Sequence, residues 1–396
     1  MRITDVKCAV IKESPIVRVT TDEGLDGFGQ MEPTKAFLKP LVPVYAEQLA
    51  GEDPTDVERC MLRIRKLGGF KPWGGLVSAI EIALWDVAGK AQSVPAYKLL
   101  GGKVRDRVRV YNGGVRTVVK GFEPEHYATA MTAMKAAPEG FTIIKESVGF
   151  HGHMAGQFAE LSYGEARQGP RWPNRGALTN RALQHTVECV RAMKSVLDED
   201  VALALDMGPG WTVPDAIRVL RELEEFDLLW AEDLLTGDYV PWVHADQYRE
   251  VTRSTTVPTH TGEQIFLRHN YKGLIESQAV RVIGPDPADV GGLAELKWVA
   301  EYADLHGIQI APHGVLNGLF GLAALVQVCA TLPENFLAFE YPRVKDESWY
   351  DIVEGLPRAI VEDGFVKVWD RPGLGIDFNR EAAGECLSPE DSNFFA

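Results

Sequence analysis

The chain has 396 residues, 45% hydrophobic and 24% charged, with 41 basic against 56 acidic side chains and a formal charge of -15. That length buries a large core, the composition excludes disorder, collagen and a disulfide scaffold, and the acidic balance argues against nucleic acid or an anionic membrane as partner. No apolar run approaches the roughly 20 residues that span a bilayer, and five scattered cysteines (Cys8, Cys60, Cys189, Cys329, Cys386) without CxxC spacing fit a reduced, cytoplasmic protein.

The opening MRITDVKCAVIKESPIV carries Asp5, Lys7, Lys12 and Glu13 and reads as an edge strand, not a signal peptide. Residues 2–32 alternate in short runs, which predicts a hairpin with Gly24 and Gly27 at its turn. In SAIEIALWDVAGKA (78–91), Ile80, Ala83, Leu84 and Val87 fall at helical spacing, so this first stretch is a small α+β unit.

From about Val108 the rhythm changes to short apolar strands: VRVYN (108–112), FTIIKES (141–147), VALALDMG (201–208), DLLWAED (227–233), VPTHTGE (257–263), AVRVIGPD (279–286), IQIAPHG (308–314) and FLAFEYP (336–342). Amphipathic helices such as 182–197 and 214–226 lie between them. Eight such strands over roughly 250 residues predict an α/β protein with a closed (β/α) barrel. A doubly wound open sheet is the alternative, but the glycine fingerprint after its first strand is missing. After about residue 355, RAIVEDGFVKV and Pro/Gly turns read as a tail returning to the N-terminal unit.

Strand after strand ends on a chemically potent side chain: Lys145, Asp206, Glu232, Glu263, Asp286, His313 and Glu340. From Asp206 the gaps are 26, 31, 23, 27 and 27 residues, each about one βα unit. In a parallel barrel these ends open onto one face, so the series converges on one mouth. Three carboxylates on successive strands do not sit ionised together without a compensating charge. Asp206, Glu232 and Glu263 therefore call for a hard divalent cation, and all-oxygen ligands favour Mg²⁺; the alternative is an ion-pair network to Arg and Lys. Asp286 beside His313 would fix the imidazole tautomer and make His313 a general base. Glu340 reads as an acid that stays protonated, or donates through a neighbour, toward a developing oxyanion, the alternative being a salt-bridged core acid.

The stretch SAIEIALWDVAGKAQSVPAYKLLGGKVRDRVRVY (78–111), with GLDGFGQ, LALDMG, LWAED, TGEQI, GPDPADVGGLAE and IAPHG, resembles the mandelate racemase subgroup of the enolase superfamily over essentially the full length. The resemblance implies an α+β capping domain (1–115), a (β/α)₇β TIM-type barrel (116–354) and a C-terminal segment (355–396) that completes the cap. It also implies Asp206, Glu232 and Glu263 as Mg²⁺ ligands, Asp286 and His313 as the base dyad, Glu340 at the substrate carboxylate or enediolate, and a homo-oligomer, a dimer or an octamer. What unites the family is abstraction of the proton α to a carboxylate, the resulting charge being stabilised by Mg²⁺.

Three departures narrow the chemistry. Racemases of the subgroup end the second barrel strand Lys-x-Lys, and here the motif is Lys145-Glu146-Ser147, so the base of the opposite face is missing. Gly208 stands where mannonate-like and galactonate-like dehydratases carry a His, and Asp233 and Gln30 replace glutamates. With one base left, His313, the economical reaction is dehydration of a sugar acid (aldonate or aldarate) to a 2-keto-3-deoxy acid, similar to the rhamnonate dehydratase branch. Lys145 is assigned to positioning the substrate carboxylate, or alternatively to pairing with a metal-ligand carboxylate. The competing readings are an isomerase, epimerase or cycloisomerase using Lys145 and His313, and a barrel without turnover.

The interval from Lys145 to Asp206 is about twice the others. Its surplus, 148–177, is rich in Gly, His, Arg and aromatics, as expected of a lid or an oligomer contact. Ser147, His151, His153 and Arg175 are its candidates for substrate contact.

Overall fold

The computed structural model describes residues 1–67, 74–163, 176–235, 243–314, 318–342 and 346–396. The chain opens with an antiparallel meander, β1 (Ile3–Ile11), β2 (Ser14–Thr21) and β3 (Asp26–Gln30), with β1 at an edge. The first turn is Lys12-Glu13, both at positive φ, and the second holds Gly24. Gly27 is no turn residue, contrary to the expectation: it lies inside β3, where an added Cβ would strike the Ala83 carbonyl, as one at Gly29 would strike Ala79. The two glycines let the strand lie against the helix behind it.

That helix is α3 (Gly74–Gln92), after α1 (Val42–Leu49) and α2 (Val57–Ile64) and before the short α4 (Ala96–Leu99). It is apolar nearly all round, because β2 and β3 cover one side and the barrel the other.

Eight parallel strands follow, β4 (Arg107–Asn112), β5 (Ile143–Ser147), β6 (Ala202–Asp206), β7 (Trp230–Glu232), β8 (Thr259–Thr261), β9 (Val282–Ile283), β10 (Gln309–Ile310) and β11 (Phe339–Tyr341). Seven fall within an expected strand, and β4 begins one residue before the expected 108–112. β5 to β10 form one sheet in sequence order, and β11 pairs with β4 in another. Two seams complete the ring. Ile310 bridges the approach to β11, donating to the Asn335 carbonyl (2.9 Å) and accepting from Leu337 N (2.9 Å). Between β4 and β5 the Asn112 amide substitutes for a missing ladder, accepting from Lys145 N (2.6 Å) and donating to Lys145 O (3.1 Å).

Helices follow the first seven strands: α5 (Pro124–Lys135), then α6 (Gly152–Gln157) with α7 (Asn180–Val196), α8 (Val213–Leu223), α9 (Ala245–Arg253), α10 (Arg268–Glu276), α11 (Leu293–Leu305) and α12 (Leu319–Cys329). Their starts are chemically marked: Thr179 and Thr212 accept from Ala182 N and Asp215 N and cap α7 and α8. Among the described residues no such helix layer follows β11, so the unit is (β/α)₇β. The chain instead folds back through α13 (Trp349–Ile352), β12 (Val353–Glu354), β13 (Val361–Glu362) and β14 (Phe365–Lys367), which pairs antiparallel with β4. β15 (Asp377–Phe378) pairs with β12, and after α14 (Arg380–Gly384) Phe394 and Phe395 pack near Phe28 of β3. Among the described residues no helix is long and apolar enough to cross a membrane.

Candidate active site

The period-two alternation of strands builds the site. Tyr111, Ile143, Ala204, Trp230, Val282, Ala311 and Ala338 fill one apolar layer of the barrel interior. Two residues further along most of these strands the next inward side chain is polar: Lys145, Asp206, Glu232, His313 and Glu340. The apolar layer is thus the floor of a polar mouth, at the C-terminal ends of the strands where the series was expected to converge.

Lys145, buried, is the hub. Its Nζ donates to Glu232 Oε1 (2.8 Å) and Glu340 Oε2 (3.2 Å). Burial alone would lower its pKa, but Glu232 and Glu340 raise it well above the ordinary lysine value, so it is an ammonium. This is the ion-paired arrangement, and it takes away the lone pair that a base would need. Glu340 is likewise ionised: against burial, Lys145, His313 and Arg116 hold its carboxyl below the usual range. The expected protonated Glu340 is therefore not what these neighbours favour. Arg116 Nη2 lies 3.7 Å from Glu340 Oε1, and its Nη1 donates to Ser147 Oγ (2.9 Å).

On the far side Asp286 Oδ2 lies 2.6 Å from His313 Nδ1, while its Oδ1 accepts from Ala288 N (2.7 Å). His313 Nε2 points into the mouth, 3.4 Å from Glu263 and 3.5 Å from Glu340. Burial opposes charge on this imidazole, but Glu263, Glu340 and Asp286 raise its pKa well above the ordinary value. Glu32, from the N-terminal unit, comes close enough to share a group with Asp286 and His313; Lys35 holds it at 3.1 Å and also pairs with Asp289.

Glu232, Asp233 and Glu263 bring carboxylate oxygens within 4.8 Å of one another. Burial pushes Glu263 up to about 7, with His313 pulling it down and Glu232 adding to the rise. Burial, Glu263 and Glu232 drive Asp233 well above its ordinary value, while Thr261 Oγ1 donates to it at 2.6 Å. Carboxylates crowded until they resist ionising fit a hard cation with oxygen ligands. Asp206 stands outside this tight group, in register with Glu232 on the next strand, its Oδ2 3.6 Å from His151 Nε2. Despite burial, His151, Lys145 and Arg116 hold it below the usual carboxylate range.

At the rim, His151 precedes α6, and His153 lies in α6 with its side chain outside what is described. Arg175, with Arg167, Arg171 and the rest of 164–175 in the expected lid, lies outside the described residues. Sequence reasoning missed Asn112, Arg116, Glu32 and His260. Asn112 ends its strand on a polar residue, the signal that marked the others. His260 sits inside β8, stacked on Trp230 (centroids 5.3 Å) and 3.7 Å from Glu232. Arg116 and Glu32 lie in loops, whose course no periodicity announces.

Residues 128–382 match the family described as enolase C-terminal domain-like, and residues 7–101 match the mandelate racemase / muconate lactonizing enzyme N-terminal domain. A D-xylonate dehydratase of Haloferax volcanii is 33% identical over 406 residues, covering 98% of this chain and 91% of its own length. A D-galactonate dehydratase of Variovorax paradoxus is 28% identical, covering 92% and 88%. Among solved structures, a mandelate racemase/muconate lactonizing enzyme-like protein from Rubrobacter xylanophilus superposes with TM-score 0.82 at 32% identity, over 98% of this chain and 97% of that one. With both domains matched and the fold shared end to end, the chain belongs to the enolase superfamily, in its mandelate racemase / muconate lactonizing enzyme group.

Proposed function

We propose that this protein dehydrates a sugar acid, taking the proton α to the carboxylate and expelling the β-hydroxyl as water to leave a 2-keto-3-deoxy acid. The observation that carries the reading is the division of labour in the mouth: one imidazole held on Nδ1 by Asp286 with its Nε2 turned toward the carboxylates, and a lysine held as an ammonium between two of them. The dehydratase names of the relatives point the same way.

Glu232 and Glu263, with Asp206 or Asp233 beside them, would hold Mg²⁺, which when bound supplies positive charge next to the substrate carboxylate. Glu263, which raises His313, is among the carboxylates that Mg²⁺ would compensate, so with the ion bound the imidazole would be neutral and its Nε2 would accept the α-proton, while Asp286, fixed by Ala288 N, holds Nδ1 and the ring orientation. The C–H electron pair becomes the new C=C bond as the β C–O bond breaks. The protonated His313 gives its proton to the departing hydroxyl on the same face, so it ends neutral and the enol tautomerises to the keto acid. Lys145 and Arg116 add positive charge around Glu340, whose Oε2 also faces His313 Nε2 at 3.5 Å. Ser147, the donor-paired residue where a second lysine would stand, has no proton affinity for racemisation. Ser147, His151, His153 and Arg175 remain our candidates for substrate contact. Our reading also includes a cytoplasmic enzyme, a homo-oligomer (dimer or octamer), and the division into cap, barrel and returning tail. For that division the pairing of β4 with β11 supports counting β4 with the barrel.

The test incubates the purified protein and Mg²⁺ with a panel of aldonic and aldaric acids and reads 2-keto-3-deoxy products as semicarbazones. A product that disappears on chelation and in His313→Asn, with a fall in kcat of about 10²–10⁴, is the expected result. Solvent deuterium appearing in recovered substrate without keto acid would instead identify an isomerase.

A further inference from the structure

On the cap side of the mouth, next to the dyad, stands a carboxylate that the mechanism leaves unused. Just after β3, Glu32 opens the tight turn Glu32-Pro33-Thr34-Lys35, which the Lys35 N–H closes on the Glu32 carbonyl (2.9 Å). Pro33 fixes φ at the start of the 3₁₀ segment Pro33–Leu41, so the turn presents its first and last side chains together. Lys35 Nζ lies 3.1 Å from Glu32 Oε2 and pairs with Asp289, which is buried in the turn after β9. Asp289 N and Val290 N of that turn donate to the Asp286 carbonyl (3.0 and 2.8 Å), so the lysine ties Glu32 to the backbone that carries half of the dyad. Its stem passes Gly75 of α3, where an added Cβ would come within 2.9 Å of Lys35 Cδ. Glu32 thereby brings a carboxylate oxygen within 4.8 Å of ligand atoms of both Asp286 and His313. Against burial, Lys35 and His313 hold its carboxyl below the usual range. The two oxygens are unequally used. Oε2 accepts from Lys35 and from Thr34 Oγ1 (3.3 Å), whereas Oε1 has no partner among the described residues, and the side chain is 24% exposed.

We propose that Glu32 is a specificity-determining residue of this site, its Oε1 accepting a hydrogen bond from a substrate hydroxyl beyond the β-carbon, and that Lys35 is the positioning residue that holds it there. The inference rests on the dehydratase reading and deepens it. The apolar floor closes the barrel below, so a chain whose α-proton meets His313 Nε2 extends toward the rim, where the cap stands. The hydroxyls of its following carbons then lie a few ångströms from the imidazole, and Glu32 stands at that distance. A carboxylate with one oxygen pinned and the other open accepts from a hydroxyl and gains nothing from a methylene. The site therefore selects an acid hydroxylated at that position over its deoxy analogue.

The test takes the best sugar acid from the panel, with analogues that each lack one hydroxyl beyond the β-carbon, and compares wild type with variants at both positions. In Glu32→Ala the KM for the parent acid should rise about tenfold, the usual effect of losing a hydrogen bond to a charged group, while kcat changes less. For one deoxy analogue wild type and Glu32→Ala should have nearly equal KM, which identifies the hydroxyl. Glu32→Gln keeps an acceptor oxygen and Lys35→Met leaves the carboxylate unheld, so each should raise KM by a smaller factor. Lys35→Arg should recover most of that loss, and Lys35→Met should add little in the Glu32→Ala background. Melting temperatures report folding; if Glu32→Ala does not fold, Glu32→Gln with the same analogues decides. An unaltered KM, an equal rise for the parent and every deoxy analogue, or a fall confined to kcat overturns the contact and leaves the dehydratase standing. No turnover of any sugar acid by wild type overturns both.

Discussion

Lys145 shows how one side chain can stabilise a site and constrain its chemistry. It is buried between Glu232 and Glu340, and removing one partner of a buried ionic group typically costs about 3–5 kcal/mol, because the charges left behind stay desolvated. Lys145→Met should therefore lower the melting temperature of the metal-free protein clearly, and added Mg²⁺ should recover part of the loss. It should also lower kcat/KM by at least about a hundredfold. Melting curves with and without Mg²⁺ check the first point. A variant as stable as wild type in chelator would mean that the carboxylates do not depend on the ammonium.

At the scale of elements, the seam between β4 and β5 is held by a side chain rather than a strand ladder. Asn112→Ala leaves the N–H and C=O of Lys145 unpaired in a dry interior, which should cost about 2 kcal/mol or more. Because those groups belong to Lys145, activity should fall further than stability alone explains, and denaturant melts beside steady-state kinetics would show whether it does. Glu81 makes a second joint of this kind. From α3 it accepts from Leu293 N (2.7 Å) and Ala294 N (3.0 Å) and so caps α11 from outside, where Gly292, at positive φ, leaves it room. Burial pushes Glu81 up to about 8, against the pull of those N–H groups and of Trp85. Between the ordinary value of 4.5 and about 8 the folded state keeps a proton that the unfolded state has lost. Stability from this group is then greatest below pH 4.5, falls as pH rises through the window and is level above it, by a few kcal/mol at about 1.4 per unit. Glu81→Gln keeps an acceptor for α11 but does not titrate, so the difference in melting temperature between variant and wild type should widen in the variant's favour from pH 5 to pH 8. A constant difference would sink the idea.

These joints also mark where the sequence was legible. Alternation and the βα spacing found the strands, because each strand must bury one face and end at the same rim. That logic carried through to the side chains of the mouth, which continue the interior layer. It could not show that Asp233, at positive φ after β7, would turn toward Glu232 and Glu263 while Asp206 stayed one strand away. Nor could it bring Glu32 and Lys35 of the N-terminal unit to His313 and Asp289, since that contact depends on how two units dock.

For the whole molecule, the docking of the N-terminal unit decides whether the mouth is a site at all. It is fastened at the rim: Gln30 Oε1 accepts from Gly321 N (3.0 Å) at the start of α12, Ser78 Oγ from Gly291 N (2.9 Å), and Glu81 caps α11. The C-terminal residues tighten the far end. Phe394 is buried 6.4 Å from the Phe28 ring and 4.9 Å from Phe395, its carbonyl accepts from Arg18, and Asp391 pairs with Lys39 at 2.5 Å. A buried Phe→Ala change costs about 3–5 kcal/mol, and here the cavity would open beneath β2 and β3, far from the floor of the barrel. Phe394→Ala should therefore loosen the N-terminal unit selectively. Hydrogen exchange should show protection lost in β1, β2, β3 and α3 and kept in β5 to β8. KM should rise more than kcat falls, because Glu32 and Lys35 would no longer be held against the dyad while Asp286 and His313 keep each other. If β5 to β8 lost protection to the same extent, cap and barrel would unfold as one cooperative unit. The tail would then stabilise the whole molecule rather than set the cap over the mouth.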